Sequence, residues 1–424
     1  MPELRPFRAL RYDESVAGDI ADLVAPPYDV ISPDQREALA AKNPSNIVHL
    51  ILPEGAASGP SNRYEKAAGL LAKWRDSGLL KADELPALYL YEQRFTAAGR
   101  ECTRRGVIGL LRLEAFGEGS VYAHEQTIPG PIVDRLELMR HTRTNPSQVM
   151  MLATDPESEL AGRLSSIASR CTPVYHFEGP DGLPERLSVI DEADDIDAIS
   201  NVIEKNSLII ADGHHRYTTA LQYRDEAGTD AACMAPVTIF SMRDPGLVIL
   251  PTHRVVDARA DMTPGALVES LGDAFRVEEI SHDGLVAMAE EADGPPTLGL
   301  TARGLDSPVR LTLTDAAAME AEAPGHSESW RSTDVAVLHE LILRPRLGFT
   351  PERILRKDGI DFVKDARQAA EAAKERDGRL AFIIRATTMD QMREIAGQGE
   401  LMPQKSTYFY PKLTTGLVVR AMDL

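Results

Sequence analysis

The stretch LIIADGHHRYTTAL, Leu208–Leu221, decides the fold that the sequence predicts. Its first four residues are apolar and predict a short buried strand. Asp212-Gly213 then predicts a tight turn, because glycine tolerates backbone angles that other residues resist. His214, His215 and Arg216 open a helix that is expected to stop at Gly228.

Alternating strand and helix patterns surround this stretch and predict an α/β fold with a mixed sheet. Short apolar runs predict strands at 86–95, 104–116, 148–154 and 236–242, the first two forming a hairpin around Ala98-Gly99. Apolar residues at helical spacing predict a helix over 61–78. The strand-turn-helix-strand order from Leu208 to Met242 predicts a βαβ-like unit.

The length of 424 residues exceeds what one ordinary core organises, so at least two domains are expected. We place a catalytic α/β region at residues 1–256. A smaller α/β region follows at residues 257–424, and its C-terminal tail is expected to dock back onto the body. The low aromatic content of 5% indicates cores built from aliphatic side chains.

The charge balance argues against nucleic acid as a partner. The chain has 65 acidic and 46 basic residues, a formal net charge of −19, and phosphate backbones are bound by clustered cations. Three scattered cysteines predict neither a disulfide framework nor a cysteine zinc site. The absence of a signal-peptide pattern and of a long apolar run predicts a cytoplasmic protein without membrane contact. The oligomeric state stays open, a homodimer included.

The DGHHR box, Asp212–Arg216, joins residues suited to holding an anion. A helix N-terminus presents free N–H groups and partial positive charge, to which His214, His215 and Arg216 add imidazoles and a guanidinium group. Asp212 is a candidate magnesium ligand or base. The alternative is an ordinary turn capped by Asp212, with solvated histidines. A shared zinc ion is disfavoured because neighbouring helical residues point about 100° apart.

A second candidate segment, Tyr122–Met150, is the densest basic patch of the sequence. Arg135 and Arg143 lie eight positions apart, near one helical face, and suit a phosphate or carboxylate. Glu125, beside His124, is a candidate general base. The alternative is a solvated amphipathic helix with internal ion pairs.

Three further segments carry polar residues for which a structural role is at least as well supported. They are Leu23–Ser32 with Tyr28 and Asp29, Asn43–Glu54 with Asn46 and His49, and Pro403–Lys412 with Lys405 and Ser406. The sequence contains no GxxxxGK[ST] loop, no GxGxxG after a strand, and no GxSxG or HExxH motif. The common nucleotide-binding and hydrolase folds therefore receive no direct support.

Several motifs together resemble the domain-of-unknown-function family numbered 1015. They are APPYDVIS, NPSNIVHLILPE, HEQTIPGPIVDRLELMRHTRTNPSQVM, ADGHHRYTTAL, ILPTHRVV and MPQKSTYFYPKL, which extend over nearly the whole chain. The DGHHR box alone also resembles the ParB/sulfiredoxin superfamily, one branch of which contains free-serine kinases. That resemblance implies a ParB/sulfiredoxin-like nucleotide-binding core in which Asp212, Gly213, His214, His215 and Arg216 handle phosphate.

These observations lead to one preferred hypothesis and three alternatives. The preferred one is a phosphotransferase that uses ATP or ADP with Mg²⁺ and acts on serine or phosphoserine. Phosphoryl transfer depends on positioning and charge stabilisation, for which Arg135 and Arg143 supply further cations and Glu125 a proton acceptor. The alternatives are a phosphoserine phosphatase, a non-enzymatic nucleotide-binding regulatory protein and a DNA-binding partition protein, which the charge balance disfavours.

Overall fold

The computed structural model describes residues 1–59, 62–97, 99–125, 129–291 and 294–424, without the side chain of Pro129. The chain forms two compact units. Unit 1 comprises Met1–Ala123, Thr127–Val248 and Pro411–Leu424, and unit 2 comprises His124–Gln126 and Ile249–Tyr410. Among the described residues, no helix has the length and apolar character required to cross a bilayer.

The strands alternate with helices along the chain, as the sequence predicts. The strands are β1 Leu4–Arg5, β2 Leu10–Tyr12, β3 Leu80–Ala82, β4 Leu88–Ala97, β5 Arg100–Arg112, β6 Val121–Tyr122, β7 Thr144–Asn145, β8 Val149–Ala153, β9 Tyr175–Glu178, β10 Pro184–Ile190, β11 Leu208–Asp212, β12 Met234–Ser241, β13 Val248–Leu250, β14 His253–Asp257, β15 Phe275–Glu279, β16 Thr297–Ala302, β17 Val309–Leu313, β18 Ile360–Val363, β19 Arg379–Ile384, β20 Tyr408–Tyr410 and β21 Arg420–Ala421.

The helices are mostly short. They are α1 Glu14–Ala17, α2 Ile20–Leu23, α3 Pro33–Lys42, α4 Val48–Ile51, α5 Arg63–Asp76, α6 Pro129–Thr142, α7 Glu159–Ala168, α8 Ala193–Glu204, α9 His214–Ala227, α10 Pro264–Leu271, α11 His282–Met288, α12 Ala316–Glu322, α13 Glu328–Arg331, α14 Asp334–Val337, α15 Pro351–Leu355, α16 Ala366–Ala372 and α17 Met389–Gly397. Short 3-10 turns lie at Tyr28–Val30 and Ala231–Cys233, and a π-helix at Leu338–Leu343.

A mixed sheet forms the centre of unit 1. In the part of the chain that the structure describes, eight strands follow the order β6-β11-β8-β12-β5-β4-β10-β9, and β1 pairs with β5. Apolar side chains of its central strands pack against α7, α8 and α9 in one continuous core. The α/β class with a mixed sheet is therefore confirmed, as are the hairpin strands β4 and β5, although Ala98 lies outside the described residues.

The βαβ-like unit predicted for Leu208–Met242 is wrong. Strand β11 pairs antiparallel with β8, whereas β8 pairs parallel with β12. Strands β11 and β12 therefore run in opposite directions with β8 between them. The local pattern specified each element but not which strand lies beside it, because strand pairing is decided by contacts between distant segments.

Helix α5 shows how closely local signals set element bounds. The sequence predicted a helix from Ser61 to Gly78, and the structure has Arg63–Asp76. The side chain of Asn62 caps the helix by accepting a hydrogen bond from the Tyr64 amide at 2.8 Å. Ser61 lies outside the described residues.

Unit 2 contains a second, smaller α/β arrangement. Its six strands follow the order β15-β17-β16-β19-β14-β18 within the described ranges, and every neighbouring pair is antiparallel. Helices α11 and α16 pack on the apolar side chains of this sheet. The antiparallel pairing fits the regular apolar-polar alternation that the sequence shows in TLGLTA and PVRLTLT.

Candidate phosphate-binding site

The DGHHR box lies at a turn between strand β11 and helix α9, as predicted. Gly213 has φ 92° and ψ 29°, a left-handed conformation that favours glycine, and it is the N-terminal cap of α9. The alternative, an ordinary turn with Asp212 as the helix cap, does not match this position of the cap. A Cβ atom at Gly213 would lie 2.8 Å from Nε of Arg216, so this position also allows Arg216 to fold back over the turn.

A register shift in β11 brings Asp212 to this turn. The pairing with β8 is regular up to Ile210 and then shifts between Ile210 and Asp212, which pairs with Met150. Such bulges redirect a side chain at the end of a strand. Strand β6 pairs parallel with β11 at Leu208 and Ile209, so the carboxyl ends of both strands lie at one edge of the sheet.

Two cations bind the carboxylate of Asp212. Arg216 donates from Nη2 to Oδ2 at 2.5 Å, and the ammonium group of Lys412 donates to Oδ1. The exposed fractions of these side chains are 8% for Arg216, 10% for Lys412 and 13% for Asp212. Arg216 also donates to the backbone carbonyl of Gln148. The three side chains form a mostly buried cluster in which cations outnumber the carboxylate.

Both carboxylate oxygens of Asp212 accept hydrogen bonds from cations. A carboxylate has about four lone-pair sites, so the predicted role of Asp212 as a magnesium ligand stays a prediction. Within the described ranges, no group of three or more His, Cys, Asp or Glu side chains is placed to hold a metal ion. Asp212 is the shared anionic partner of Arg216 and Lys412.

The two histidines of the box open helix α9. His214 is buried and His215 is half-buried. The backbone carbonyl of His215 accepts a hydrogen bond from the Thr219 hydroxyl at 2.7 Å. Helix α9 has fourteen residues, so its N-terminus carries the partial positive charge of a full-length helix dipole.

Arg135 lies on α6 and is almost completely buried. It donates to the Ile51 carbonyl at 2.6 Å and to the carboxylate of Asp134, and its guanidinium carbon lies 4.3 Å from the centre of the Tyr28 ring. Burial raises the pKa of Tyr28 to about 12, with a further contribution from the charge of Asp29. Tyr28 thus stays protonated at neutral pH and provides a neutral aromatic face for Arg135.

Arg135 and Arg216 line one cavity of about 40 Å³. The cavity lies among α6, α9 and the strands β7, β8 and β12. Its remaining lining residues are Leu138, Met139, Thr144, Asn145, Pro146, Ser147, Val149, Thr219, Ala220, Ala235 and Pro236. The structure therefore joins the two segments that the sequence singled out separately.

Arg143 does not share a helical face with Arg135, contrary to the prediction. Helix α6 ends at Thr142, and Arg143 has φ 49° and an exposed side chain. Its carbonyl accepts a hydrogen bond from the Met422 amide at 3.0 Å. A spacing of eight positions places two residues near one face only if both belong to the helix, and α6 ends one residue before Arg143. The ligand-binding role of Arg143 stays a prediction.

Glu125 belongs to unit 2, where a loop of the C-terminal segment holds it. Its Oε1 accepts a hydrogen bond from the Lys405 amide at 3.1 Å, and Met402 donates to the carbonyl of His124 at 2.8 Å. His124 is buried, with its Nε2 lying 2.8 Å from the Thr407 hydroxyl. Glu125 is half-buried, and its role as a general base stays a prediction.

Sequence reasoning missed Lys412 as a site residue. It pointed to Lys405 and Ser406 in the same segment, whereas Lys412 reaches Asp212 across 200 positions of sequence. No local feature of PQKSTYFYPK distinguishes the two lysines. Arg104, whose charge interacts with that of Asp212, was also missed because it lies within an apolar strand pattern.

The family follows from a sequence profile described as "Protein of unknown function (DUF1015)", which matches residues 4–335. The chain belongs to this family. The match includes the DGHHR box, Glu125 and Arg135, and Lys412 lies C-terminal to it. No curated protein matches the chain.

Several solved structures of low identity are similar to this DUF1015 chain. A free serine kinase variant in complex with AMP is 13% identical to this chain, with a TM-score of 0.35. The match covers 68% of this chain and 84% of the kinase chain. A conserved hypothetical protein from Pyrococcus furiosus is 16% identical with TM-score 0.36, covering 72% and 94%. SbnI from Staphylococcus aureus, truncated at its C-terminus, is 9% identical with TM-score 0.38, covering 73% and 86%.

Proposed function

We propose that the chain is a nucleotide-dependent phosphotransferase acting on a small hydroxy amino acid, serine or phosphoserine. The observation that carries the proposal is the convergence of Arg216 and Lys412 on the turn where helix α9 begins. Backbone N–H groups at a helix N-terminus and nearly buried cations together bind phosphate strongly, because charge-assisted hydrogen bonds gain strength away from water.

In this proposal Arg216 and Lys412 bind the nucleotide phosphates, and Asp212 keeps both cations in place. His214 and His215 contribute the first N–H groups of α9 and their imidazole rings. Arg135 is proposed to bind the carboxylate or a further phosphate of the small substrate. Arg143 is proposed as an additional surface cation.

Glu125 is proposed as the proton acceptor. When serine is the substrate, its hydroxyl oxygen bonds to the terminal phosphorus of the nucleotide while the bond to the bridging oxygen breaks. The hydroxyl proton passes to the carboxylate of Glu125. In the reverse direction a terminal phosphate oxygen of the nucleotide bonds to the phosphorus of phosphoserine while the bond to the seryl oxygen breaks, and the protonated Glu125 gives its proton to that oxygen. Magnesium enters as the counter-ion of the nucleotide substrate, and no step depends on a resident ion.

The test measures phosphoryl transfer by the purified full-length chain. ATP or ADP, with magnesium as its counter-ion, is combined with L-serine or O-phospho-L-serine and followed by phosphorus NMR. AMP and ADP, the nucleotides bound in the free serine kinase complexes, are the first ligands for binding titrations. We expect nucleotide-dependent transfer. Phosphate release without nucleotide would indicate a phosphatase instead, and saturable nucleotide binding without turnover a regulatory protein.

Matched variants connect the activity to the site. Lys412→Gln removes one buried cation, and we expect nucleotide affinity to fall about tenfold, the typical effect of losing one charge-assisted hydrogen bond. Lys42→Gln is the control, since Lys42 pairs with Asp22 on the surface. Glu125→Gln should abolish transfer with nucleotide affinity unchanged. Equal affinities for Lys412→Gln and Lys42→Gln would contradict the assigned site.

A further inference from the structure

Three buried polar side chains form a network inside the sheet of unit 1. Gln93 on β4 accepts hydrogen bonds from Arg104 on β5 through Oε1, at 3.1 Å from Nε. Its Nε2 donates to Oε1 of Glu185 on β10 at 2.9 Å. All three are at most 2% exposed, so water does not compete for these bonds.

The network also binds the backbone on both sides of Lys412. Arg104 donates to the carbonyl of Pro411, and Nε2 of Gln93 donates to the carbonyl of Lys412 at 3.0 Å. Two residues further on, the Thr414 hydroxyl donates to Glu185 at 2.9 Å. The direction in which the Lys412 side chain leaves the backbone is therefore fixed by side chains of three strands.

Such a network is costly to bury. Burial lowers the pKa of Arg104 to about 10 and raises the pKa of Glu185 to about 7. Apolar side chains of similar volume fill a core at least as stably as a buried charged pair, so stability alone does not account for it. The network adds a defined position for the backbone around Lys412, because Arg104 and Gln93 donate to the carbonyls of Pro411 and Lys412.

We propose that Gln93, Arg104 and Glu185 are positioning residues that place the ammonium group of Lys412 at the DGHHR turn. They thereby set how strongly the turn binds phosphate. The second statement rests on the proposed function, whereas the first concerns only the placement of Lys412 and stands independently of it.

Two tyrosines on strand β4 provide a matched pair of variants. The Tyr91 hydroxyl donates to Glu185 at 2.7 Å and accepts from the Thr414 amide at 3.3 Å. The Tyr89 hydroxyl donates to Asp83 at 2.6 Å and accepts from the Ala9 amide at 3.1 Å, and neither partner belongs to the network. Both side chains are at most 1% exposed, and each variant loses one hydrogen bond to a carboxylate and one from a backbone amide.

The first readout is the acylation rate of Lys412, measured by mass spectrometry after brief treatment with acetic anhydride, with Lys42 as internal reference. In Tyr91→Phe we expect Lys412 to react about fivefold faster than in wild type. This corresponds to a loss of about 1 kcal/mol in the free energy that holds the ammonium group in its buried position. Tyr89→Phe should leave the rate unchanged. Thermal unfolding of both variants shows whether their stability losses match.

The second readout is affinity for ATP. We expect a decrease of about fivefold in Tyr91→Phe and none in Tyr89→Phe. Equal acylation rates of Lys412 in the two variants would overturn the proposal. Faster acylation in Tyr91→Phe alone, without ATP binding even by wild type, would support the positioning role and refute the proposed function. If Tyr91→Phe does not fold, Thr414→Val removes a different bond to Glu185 and takes its place.

Discussion

Glu185 shows how a single buried carboxyl group makes stability depend on pH. Its folded-state pKa is about 7 against an ordinary value of 4.5, because burial disfavours the charged form more than Gln93, Tyr91, Thr414 and Arg104 favour it. The folded chain therefore retains a proton at Glu185 over a pH range in which the unfolded chain has lost it. This contribution to stability is complete below pH 4.5 and is lost as the pH rises through about 7.

Glu185→Gln removes this titration while keeping the size of the side chain. Between pH 5.5 and 8.5 we expect the free energy of unfolding of wild type to fall by roughly 2 kcal/mol relative to the variant. Denaturant unfolding at a series of pH values measures the difference. Curves that stay parallel over this range would show that Glu185 does not titrate there.

At the scale of elements, helix α9 is bounded by two glycines with left-handed backbone. Gly213 has φ 92° and Gly228 has φ 60°. A side chain at Gly228 would meet no atom within 4 Å, whereas one at Gly213 would meet the guanidinium group of Arg216 at 2.8–2.9 Å. The two ends therefore share the same backbone requirement but differ in what surrounds them.

The variants Gly213→Ala and Gly228→Ala separate these two effects. Each incurs about 1 kcal/mol for an alanine in left-handed conformation. Gly213→Ala must also displace Arg216, so we expect a larger loss of thermal stability and a lower nucleotide affinity. Gly228→Ala should bind nucleotide like wild type. Identical stability and affinity in both variants would show that Arg216 has no close contact with the turn.

At the scale of the whole molecule, the last residues of the chain complete unit 1. Arg420 is 4% exposed and donates to Asn145 at 3.1 Å, to the Met234 carbonyl at 2.6 Å and to the Ala231 carbonyl. Burial lowers its pKa to about 10, so it stays charged at neutral pH. The C-terminal segment is thus part of the core of unit 1.

The cytoplasmic location stays a prediction.

Arg420→Met leaves two buried acceptors and one part-buried acceptor without their donor. We expect the free energy of unfolding to fall by about 3 kcal/mol, the effect of breaking a buried charged hydrogen-bond set. The control is Asp423→Asn, three positions further on, which removes only the surface ion pair with Arg75. It should change the free energy of unfolding by less than about 0.5 kcal/mol. Comparable losses in the two variants, in denaturant unfolding, would contradict the buried role of Arg420.

The sequence by itself determined most elements and the candidate turn. Apolar periodicity, the cap of α5 and the glycine after α9 are local signals, because they depend on residues within a few positions of one another. The same signals placed Asp212 and Arg216 at a strand-to-helix turn. The predicted domain boundary after residue 256 stays a prediction. The two compact units divide at a nearby position, between Val248 and Ile249.

Only the tertiary structure decided which strands are neighbours and which cations meet. The antiparallel direction of β11 and β12, the pairing of Lys412 with Asp212, and the cavity shared by Arg135 and Arg216 join segments far apart in sequence. A local pattern of residue types does not predict such contacts, because they depend on packing and charge between segments that meet only in the folded chain. For the same reason the spacing of Arg135 and Arg143 misled, since it assumed a helix that ends at Thr142.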